Sequence, residues 1–534
     1  MSNIWSPWQV AMTRSTSLAL LLALVLPFLT AGCDNLTDVT DINEDPTVAT
    51  DIEPGLQLAN IPLEVADGRF EAWRGNLIHA SCITQHLAST TTAWSGCYYT
   101  LTESYNTAYW GAHFNELKDV EDVLSKTTPE ENPQRTNMHA MATIYRVFVL
   151  HRMTNLYGNI PYEEAGKGLT EGNFNPAYQP VSEIYPAMIA DLQEARGQLD
   201  PSISTLDPTR DLLFAGDIEK WRRFANSLIL RIGMRMSEVD ANAAQSAVQD
   251  ALNGGVMQSN DDIAYLNHVA ANGDRNGVGE VFNDFPAGGH AFRMSKTFMD
   301  MLQGRTGANS ATDPRINIFS ARYDENDNLV SDDPADLEGL ENGLQAEEFP
   351  SNTFTRAQPH RDYMVSYGSP EIWMSYAEVK FLEAEAALRG WHPNSSDARA
   401  HYEEGIRAAM KHLTIYGAPE IPDAEISSYI SSLPSGPPTL EHIIEQKWIA
   451  LFLNGYEAWA EFRRTGYPDE VRTNVVNAPA SETPQNEFPG RLIYPSNESL
   501  LNPNFEEGST QPNDMATRLW WAREPGETAT IGGN

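Results

Sequence analysis

A mostly all-α fold is predicted, a body of helix pairs with a loop-rich part that carries a few short strands, on three observations. The first is the stretch Asp217 to Met236, DIEKWRRFANSLILRIGMRM, in which Ile218, Trp221, Phe224, Ala225, Leu228, Ile229, Ile232 and Met236 recur at steps of three and four. That spacing lays an apolar stripe along one face of a helix, and the face must be buried. The second is the return of the same spacing in successive segments on both sides of this helix. The third is a change of character between Asn253 and Pro370, where glycine, asparagine and proline are frequent and helical periodicity is weak.

Taken in order, Gly55 to Ala66 and Glu71 to Thr90 read as helices, followed by the threonine- and aromatic-rich TTAWSGCYYT. Tyr105 to Leu124 and Asn137 to Tyr157 are periodic again, the latter through Met138, Met141, Tyr145, Phe148 and Met153, and Pro180 to Leu199 adds another helix. In the central stretch Asp217 is the expected N-cap, with Gly216 turning the chain before it. Arg223, Arg231 and Arg235 flank its apolar face, a placement that suits carboxylates on neighbouring helices. In the loop-rich part, DPRINIFSARYDENDNLV reads as an extended pair around a turn. Asp324, Asn326 and Asn328 alternate like calcium-loop oxygens, but the glycine and distal glutamate of an EF-hand are missing, so a hairpin turn is the preferred reading.

Helices resume at Glu371 to Leu388, with a stripe of Ala377, Phe381, Ala384 and Leu388, and at Ser396 to Leu413. There Ala398, Tyr402 and Gly405 have the small, aromatic, small spacing of the second helix of a tetratricopeptide repeat, where small side chains admit a neighbouring helix. Leu440 to Arg464 is the last long helical region, and the Pro- and Asn-rich Asn474 to Asn504 cannot be helical throughout.

The chain is 41% hydrophobic and 20% charged, with a formal net charge of -37. Such a charge repels polyanions and argues against nucleic acid as a partner. Ser17 to Leu29, SLALLLALVLPFL, follows Arg14 and has the length of a signal-peptide core, short of the ~20 residues a membrane span needs. Translation can start at Met1 or at Met12. Ala31 and Gly32 directly before Cys33 are similar to a bacterial lipobox, although Thr30 stands where leucine is usual. The expectation is a signal peptide over 1–32 and a lipidated tether over 33–53, acidic and without apolar period, anchored to a membrane by acyl chains on Cys33. Cys82 and Cys97 can pair in an oxidising compartment or remain thiols. No C-x-x-C pair is present, which removes zinc-ribbon and thioredoxin-like readings.

Several motifs occur in a fixed order: LTAGC at the lipobox, INEDPT after it, NLYGNIPYEEA at 155–165, GDIEKWRRFANSLILRIGMRM at 216–236, and DPR at 313–315. SYAEVKFLEAEAALRGW at 375–391, YEAWAEFRRTGYP at 456–468 and RLIYPSNE at 491–498 complete the set. Together they closely resemble the SusD/RagB family of outer-membrane lipoproteins, in its SusD-like branch. The resemblance implies a single body over 54–534, with tetratricopeptide-like helix pairs within 105–236 and 371–464 and a loop-rich part over 253–370 and 474–534. It implies a surface-exposed, lipid-anchored protein at the outer membrane that captures oligosaccharide or peptide for a partner TonB-dependent, SusC-like transporter. It also gives the motifs architectural roles: Trp459 and Phe462 as core, with Arg463 and Arg464 pairing to acids such as Glu378, Glu383 or Glu385.

Glycan binding uses flat aromatic rings against sugar faces and polar side chains toward hydroxyls. Trp94, Tyr98 and Tyr99 lie in a loop where no period forces burial, and they are the first ligand candidates. The loop AANGDRNGVGEVFNDFPAGGHAFRM adds Asn272, Asp274, Arg275, Asn283 and Phe285, provided it lines the same surface. No catalytic residue, metal ligand or cofactor is assigned. A surface glycoside hydrolase using paired carboxylates is the alternative; Glu378 and Glu385 share a helix face, but their arginine-rich neighbours suit structural ion pairs, and G-x-S-x-G, H-E-x-x-H and P-loop motifs are lacking. A repeat-type protein-interaction scaffold is the third reading.

Overall fold

The computed structural model describes residues 52–531 apart from 67, 204–205, 272, 286–289, 477, 479–480, 486, 506–511 and 525. The signal peptide, Cys33 with most of its tether, and Asn272 therefore lie outside the described residues. The chain divides into two units, Met1–Glu53 and Pro54–Asn534.

The helices of the second unit are α1 (Pro54–Val65), a π-helical stretch (Ala72–Ser81), α2 (Glu103–Lys126), α3 (Thr136–Tyr157), α4 (Val181–Gln198), α5 (Ile218–Arg235) and α6 (Ala241–Gly254). After these come α7 (Gly277–Asp284), α8 (Lys296–Leu302), α9 (Tyr376–Leu388), α10 (Ala398–Lys411), α11 (Asp423–Ser432), α12 (Leu440–Ala450) and α13 (Gly455–Thr465). Sequence neighbours pack on one another in turn from α2 to α6, and α9 packs on α10 and α12. This is the helix-pair body that the periodicity predicts.

The central helix α5 behaves as its sequence dictates. Asp217 caps it by accepting from Glu219 and Lys220 N–H, and Gly216 takes φ +83°. Ile218, Trp221, Phe224, Ala225, Leu228, Ile229, Ile232 and Met236 are all buried. Its arginines reach other elements: Arg223 pairs with Asp262 at 2.9 Å, Arg231 forks onto Glu378 of α9 at 2.7 and 2.8 Å, and Arg235 meets Glu457 and Glu461 of α13 at 2.5 and 2.9 Å. Lys447 of α12 and Arg464 of α13 lie on Glu461 at 3.1 and 2.8 Å, and Arg464 holds Glu385 bidentately at 2.6 and 2.7 Å. Burial alone would raise the Glu385 carboxyl, but Arg464 and Arg389 outweigh it and hold it below the usual carboxylate range. Against its own burial, Glu461 is held well below that range by Arg464, Lys447 and Arg235. Glu378 and Glu385 are thus structural ion-pair acids.

At α10 the small residue is required by contact. A Cβ on Gly405 would fall 2.7 Å from the Phe381 ring, so α9 and α10 approach this closely only because that position is glycine. Trp459 and Phe462 are core residues. Arg464 pairs with an acid as expected, but Arg463 does not meet Glu378, Glu383 or Glu385. Its guanidinium is stacked 4.0 Å over Trp459 and donates to the Trp459 and Gly490 carbonyls.

The strands are short and lie mostly in the loop-rich part. β1 (Leu87–Ser89) pairs antiparallel with β3 (Phe292–Met294), β2 (Ala264–Leu266) with β7 (Glu371–Met374), and β4 (Ser320–Tyr323) with both β5 (Leu329–Ser331) and β6 (Gln358–Pro359). The β4–β5 hairpin matches the extended pair read from the sequence, with Asp324 accepting from the Asn326 and Asn328 N–H groups in its turn. Three boundaries differ from expectation. Leu87–Ser89 ends a segment read as helical, Glu371–Met374 is strand before α9 begins, and Leu440 to Arg464 is broken at Leu453, whose φ of +67° is incompatible with a continuing helix.

Candidate ligand-binding surface

The two loops singled out by their composition meet on a residue that neither contains. Trp73, at the start of the π-helical stretch, has Trp94 edge-on at 5.0 Å, Phe285 edge-on at 5.2 Å and Tyr105 tilted at 4.9 Å, measured between ring centres. Trp94 in turn stacks over Phe292 of β3 at 6.2 Å. Edge-to-face packing of this kind is favoured by the ring quadrupoles and fixes ring orientation.

Local sequence explains the convergence. Cys82, just past the π-helical stretch, forms a disulfide with Cys97, with Cα atoms 4.7 Å apart, so the pairing left open by the sequence is made. Gly96 lies so close to this stretch that a Cβ would be 2.2 Å from the Ile78 carbonyl oxygen. Gly75 leaves room for the Tyr109 ring and the Tyr456 hydroxyl in the same way. The wide π-type turn, a form often found at functional sites, thereby carries Trp73 next to Trp94. Beneath the loop, burial pushes His79 down to about 4, so the imidazole next to Ser95 is uncharged at neutral pH.

Trp73 and Trp94 are only 5% and 8% exposed and form a floor. Among the described residues neither indole N–H meets an acceptor, although both are buried. Over this floor Tyr105 and Phe285 are half-buried, and Phe70 is 43% exposed. The Arg69 and Arg74 guanidinium groups lie 4.8 and 5.3 Å from the Phe70 ring centre, and Arg74 pairs with Glu71 at 3.1 Å. On the loop side Arg275 stacks 4.1 Å over Tyr367 and pairs with Asp284 at 3.0 Å, while the Tyr367 hydroxyl donates to Asp284. Helix α7, which ends at Asp284, packs on the turn Arg69–Glu71 and on the π-helical stretch, and this brings the two polar groups to one region. The arrangement is a rigid aromatic floor, a partly exposed aromatic rim and charged groups able to give and accept hydrogen bonds.

The remaining candidates are distributed differently. Tyr98 and Tyr99, expected in an unforced loop, are core: the Tyr98 hydroxyl donates to the Leu344 carbonyl at 2.7 Å, and Tyr99 packs on Phe488. Burial and then Glu348 raise the Tyr98 hydroxyl to about 12. Asp274 faces His268 within its own loop, and Asn283 donates to the Gly279 carbonyl and, across to another segment, to that of Val365, so both are engaged in holding the structure. Sequence reasoning missed Trp73, Phe70 and Tyr105. The signal was GRFEAWRG at 68–75, where Phe70 and Trp73 stand three apart between Arg69 and Arg74 directly after a glycine.

Fold and surface together define a helix-pair protein with a partly exposed aromatic rim and a network of buried ion pairs inside its helical body. The chain belongs to the SusD-like family described as starch-binding and associating with the outer membrane, whose model matches residues 46–495. Similar solved structures include a chitin-binding protein, 30% identical, with a TM-score of 0.76, the match covering 88% of this chain and 100% of that one. A SusD-like protein AC2a from Bacteroidetes is 25% identical with a TM-score of 0.75, covering 89% and 100%. A chitin-binding SusD homologue from Flavobacterium johnsoniae is 24% identical with a TM-score of 0.72, covering 87% and 97%, a likeness of fold. No curated protein matches the chain. Among the described residues no helix is long and apolar enough to cross a membrane.

Proposed function

We propose that this protein binds an oligosaccharide at the surface around Trp73, Trp94, Tyr105, Phe285 and Phe70 and does not cleave it. The observation that carries the reading is the convergence of Trp94 and Phe285, from loops far apart in sequence, on one buried tryptophan. A sugar ring has an apolar face of C–H groups and an equatorial belt of hydroxyls, and the aromatic rim with Arg69, Arg74, Arg275 and Asp284 offers a partner to each. The similar solved structure that is 30% identical is described as chitin-binding, which favours a glycan over a peptide. The two carboxylates weighed for a hydrolase support the same reading, since Glu378 is held by Arg231 and Glu385 by Arg464.

In this reading the signal peptide is removed and acyl chains on Cys33 hold the body at the outer-membrane surface, with the tether of 33–53 as spacer. The captured oligosaccharide then passes to a TonB-dependent transporter. Isothermal titration of the mature chain with chito-, malto- and other soluble oligosaccharides, and with a peptide mixture, tests it. Saturable binding of one glycan class without release of reducing ends is the expected result. Phe70→Ala and Tyr105→Ala, which remove rim rings and leave the floor, weaken that binding by about 1 kcal/mol each, roughly fivefold. Peptide binding in place of glycan, or turnover, would refute the reading. Palmitate labelling lost in Cys33→Ser, and co-purification with an outer-membrane transporter, test anchor and partner.

A further inference from the structure

Away from the aromatic surface, the α9–α10 hairpin gathers three side chains with metal-binding atoms. Glu383 lies on α9, His392 in the connecting turn and His401 on α10. His392 Nε2 is 3.5 Å from Glu383 Oε1, and His401 Nδ1 is 3.7 Å from Oε2. One ligand atom from each of the three falls within 4.8 Å of the others. A tetrahedral cation with bonds of about 2.0–2.1 Å keeps its ligand atoms about 3.3–3.4 Å apart; the two imidazoles now face different oxygens of Glu383, so a cation must draw a set spread over up to 4.8 Å together by side-chain rotation. Glu383 is 8% exposed, and His401 Nε2 is buried without a hydrogen-bond partner among the described residues. Besides the imidazoles, the charge that reaches Oε2 is the Lys380 ammonium, an ion pair at 2.5 Å.

From this geometry we infer that Glu383, His392 and His401 form a site for a first-row divalent transition cation, zinc being the best fit. Two imidazoles and one carboxylate suit zinc, nickel or copper better than calcium or magnesium, which prefer oxygen ligands throughout. Beside the cluster lies a hollow of about 300 Å³ lined by Tyr376, Lys380, Glu383, His392 and Asn394. It gives the cation a way in, a place for water as fourth ligand, and room for the Lys380 side chain once displaced. His392 must also change its tautomer. At present its Nδ1 accepts the Asn394 N–H at 3.2 Å, which places the ring proton on Nε2 toward Glu383. Ligation through Nε2 moves that proton to Nδ1 and gives up the Asn394 contact. The cation ties the middle of α9, its turn and the first turn of α10 into one clip, and it makes no use of the proposed glycan surface.

The test uses the mature chain freed of metal by chelation and titrated with ZnCl2, with calorimetry and thermal unfolding as readouts. One zinc per chain is expected, with a raised Tm. His392→Gln and His401→Gln each weaken binding at least tenfold, while Lys380→Met, which removes the competing ammonium, strengthens it. Glycan binding and circular dichroism of these variants stay unchanged, which separates loss of the site from loss of the fold. Zinc uptake indifferent to the histidine substitutions would assign it to the many surface carboxylates and overturn the site. So would the absence of uptake, and CaCl2 binding with the same dependence on the histidines would overturn the choice of ion.

Discussion

The helix-pair body buries its charged groups in pairs, whereas the aromatic surface leaves its charged groups partly exposed. Inside the body, Arg231, Arg235, Lys447 and Arg464 face Glu378, Glu385, Glu457 and Glu461, so each of these charges has an opposite charge within reach. Under the surface, the indole N–H groups of Trp73 and Trp94 are buried and meet no acceptor among the described residues, while rings and guanidinium groups above them remain reachable. A buried charge that loses its partner costs far more than the intact pair contributes, so the body's network specifies how the helices fit. Exposed rings contribute little to folding, and in the proposed reading they serve a ligand. The comparison separates charges that fix the helices from rings and charges that solvent can reach; an indole N–H without an acceptor does not by itself mark the surface, since among the described residues the core tryptophans Trp373 and Trp521 have one too.

The strongest way to break this contrast is Arg464→Ala. It strands Glu385 and Glu461 inside the protein, and about 3–5 kcal/mol of stability is expected to go, measured by guanidinium chloride unfolding, with glycan affinity unchanged while the protein remains folded. Cys82→Ser is next. The bond closes a 15-residue loop, so its loss should cost about 3 kcal/mol. Because that loop carries Trp94, this variant should also weaken glycan binding, which titration under reducing and oxidising conditions will show.

The smallest expected effect concerns a buried acid outside the paired network. Burial, then Glu470, Glu441 and Asp469, raise Glu445 to about 8. A raised carboxyl keeps its proton in the folded state after the unfolded chain has lost it, so its contribution to stability declines as pH rises from the ordinary glutamate range through 8. Glu445→Gln keeps an acceptor for the Ala308 N–H and removes the penalty. It should stabilise the protein at pH 9 by on the order of 1 kcal/mol and lose that advantage at pH 4, by thermal unfolding across the range. The network acids Glu385 and Glu461 have the opposite sign: their contribution is present above the ordinary glutamate pKa and is lost as pH falls through their depressed values.

Much of the body was legible in the sequence because helix burial has a period. The stripe of α5, the Asp217 cap and the spacing Ala398, Tyr402, Gly405 each state a local requirement that the fold meets. Arg463 was misread because sequence shows a charge beside a core face and not what lies opposite, here two tryptophan rings and two carbonyls. The surface was legible in fragments. Trp94 and Phe285 stand out by composition, but only tertiary structure brings them together, and Trp73 looks like any tryptophan on a helix. Tyr98 and Tyr99 read as free because their loop has no period. The disulfide and the close approach at Gly96 impose a burial that periodicity cannot report.

The Cys82–Cys97 link gives this division a consequence in time and place. A chain kept among reduced thiols lacks the covalent strap that holds Trp94 over its neighbours, yet retains every ion pair of the helical frame. In the proposed reading such a molecule would be folded and poorly receptive, and oxidation after export would complete the sugar-binding surface.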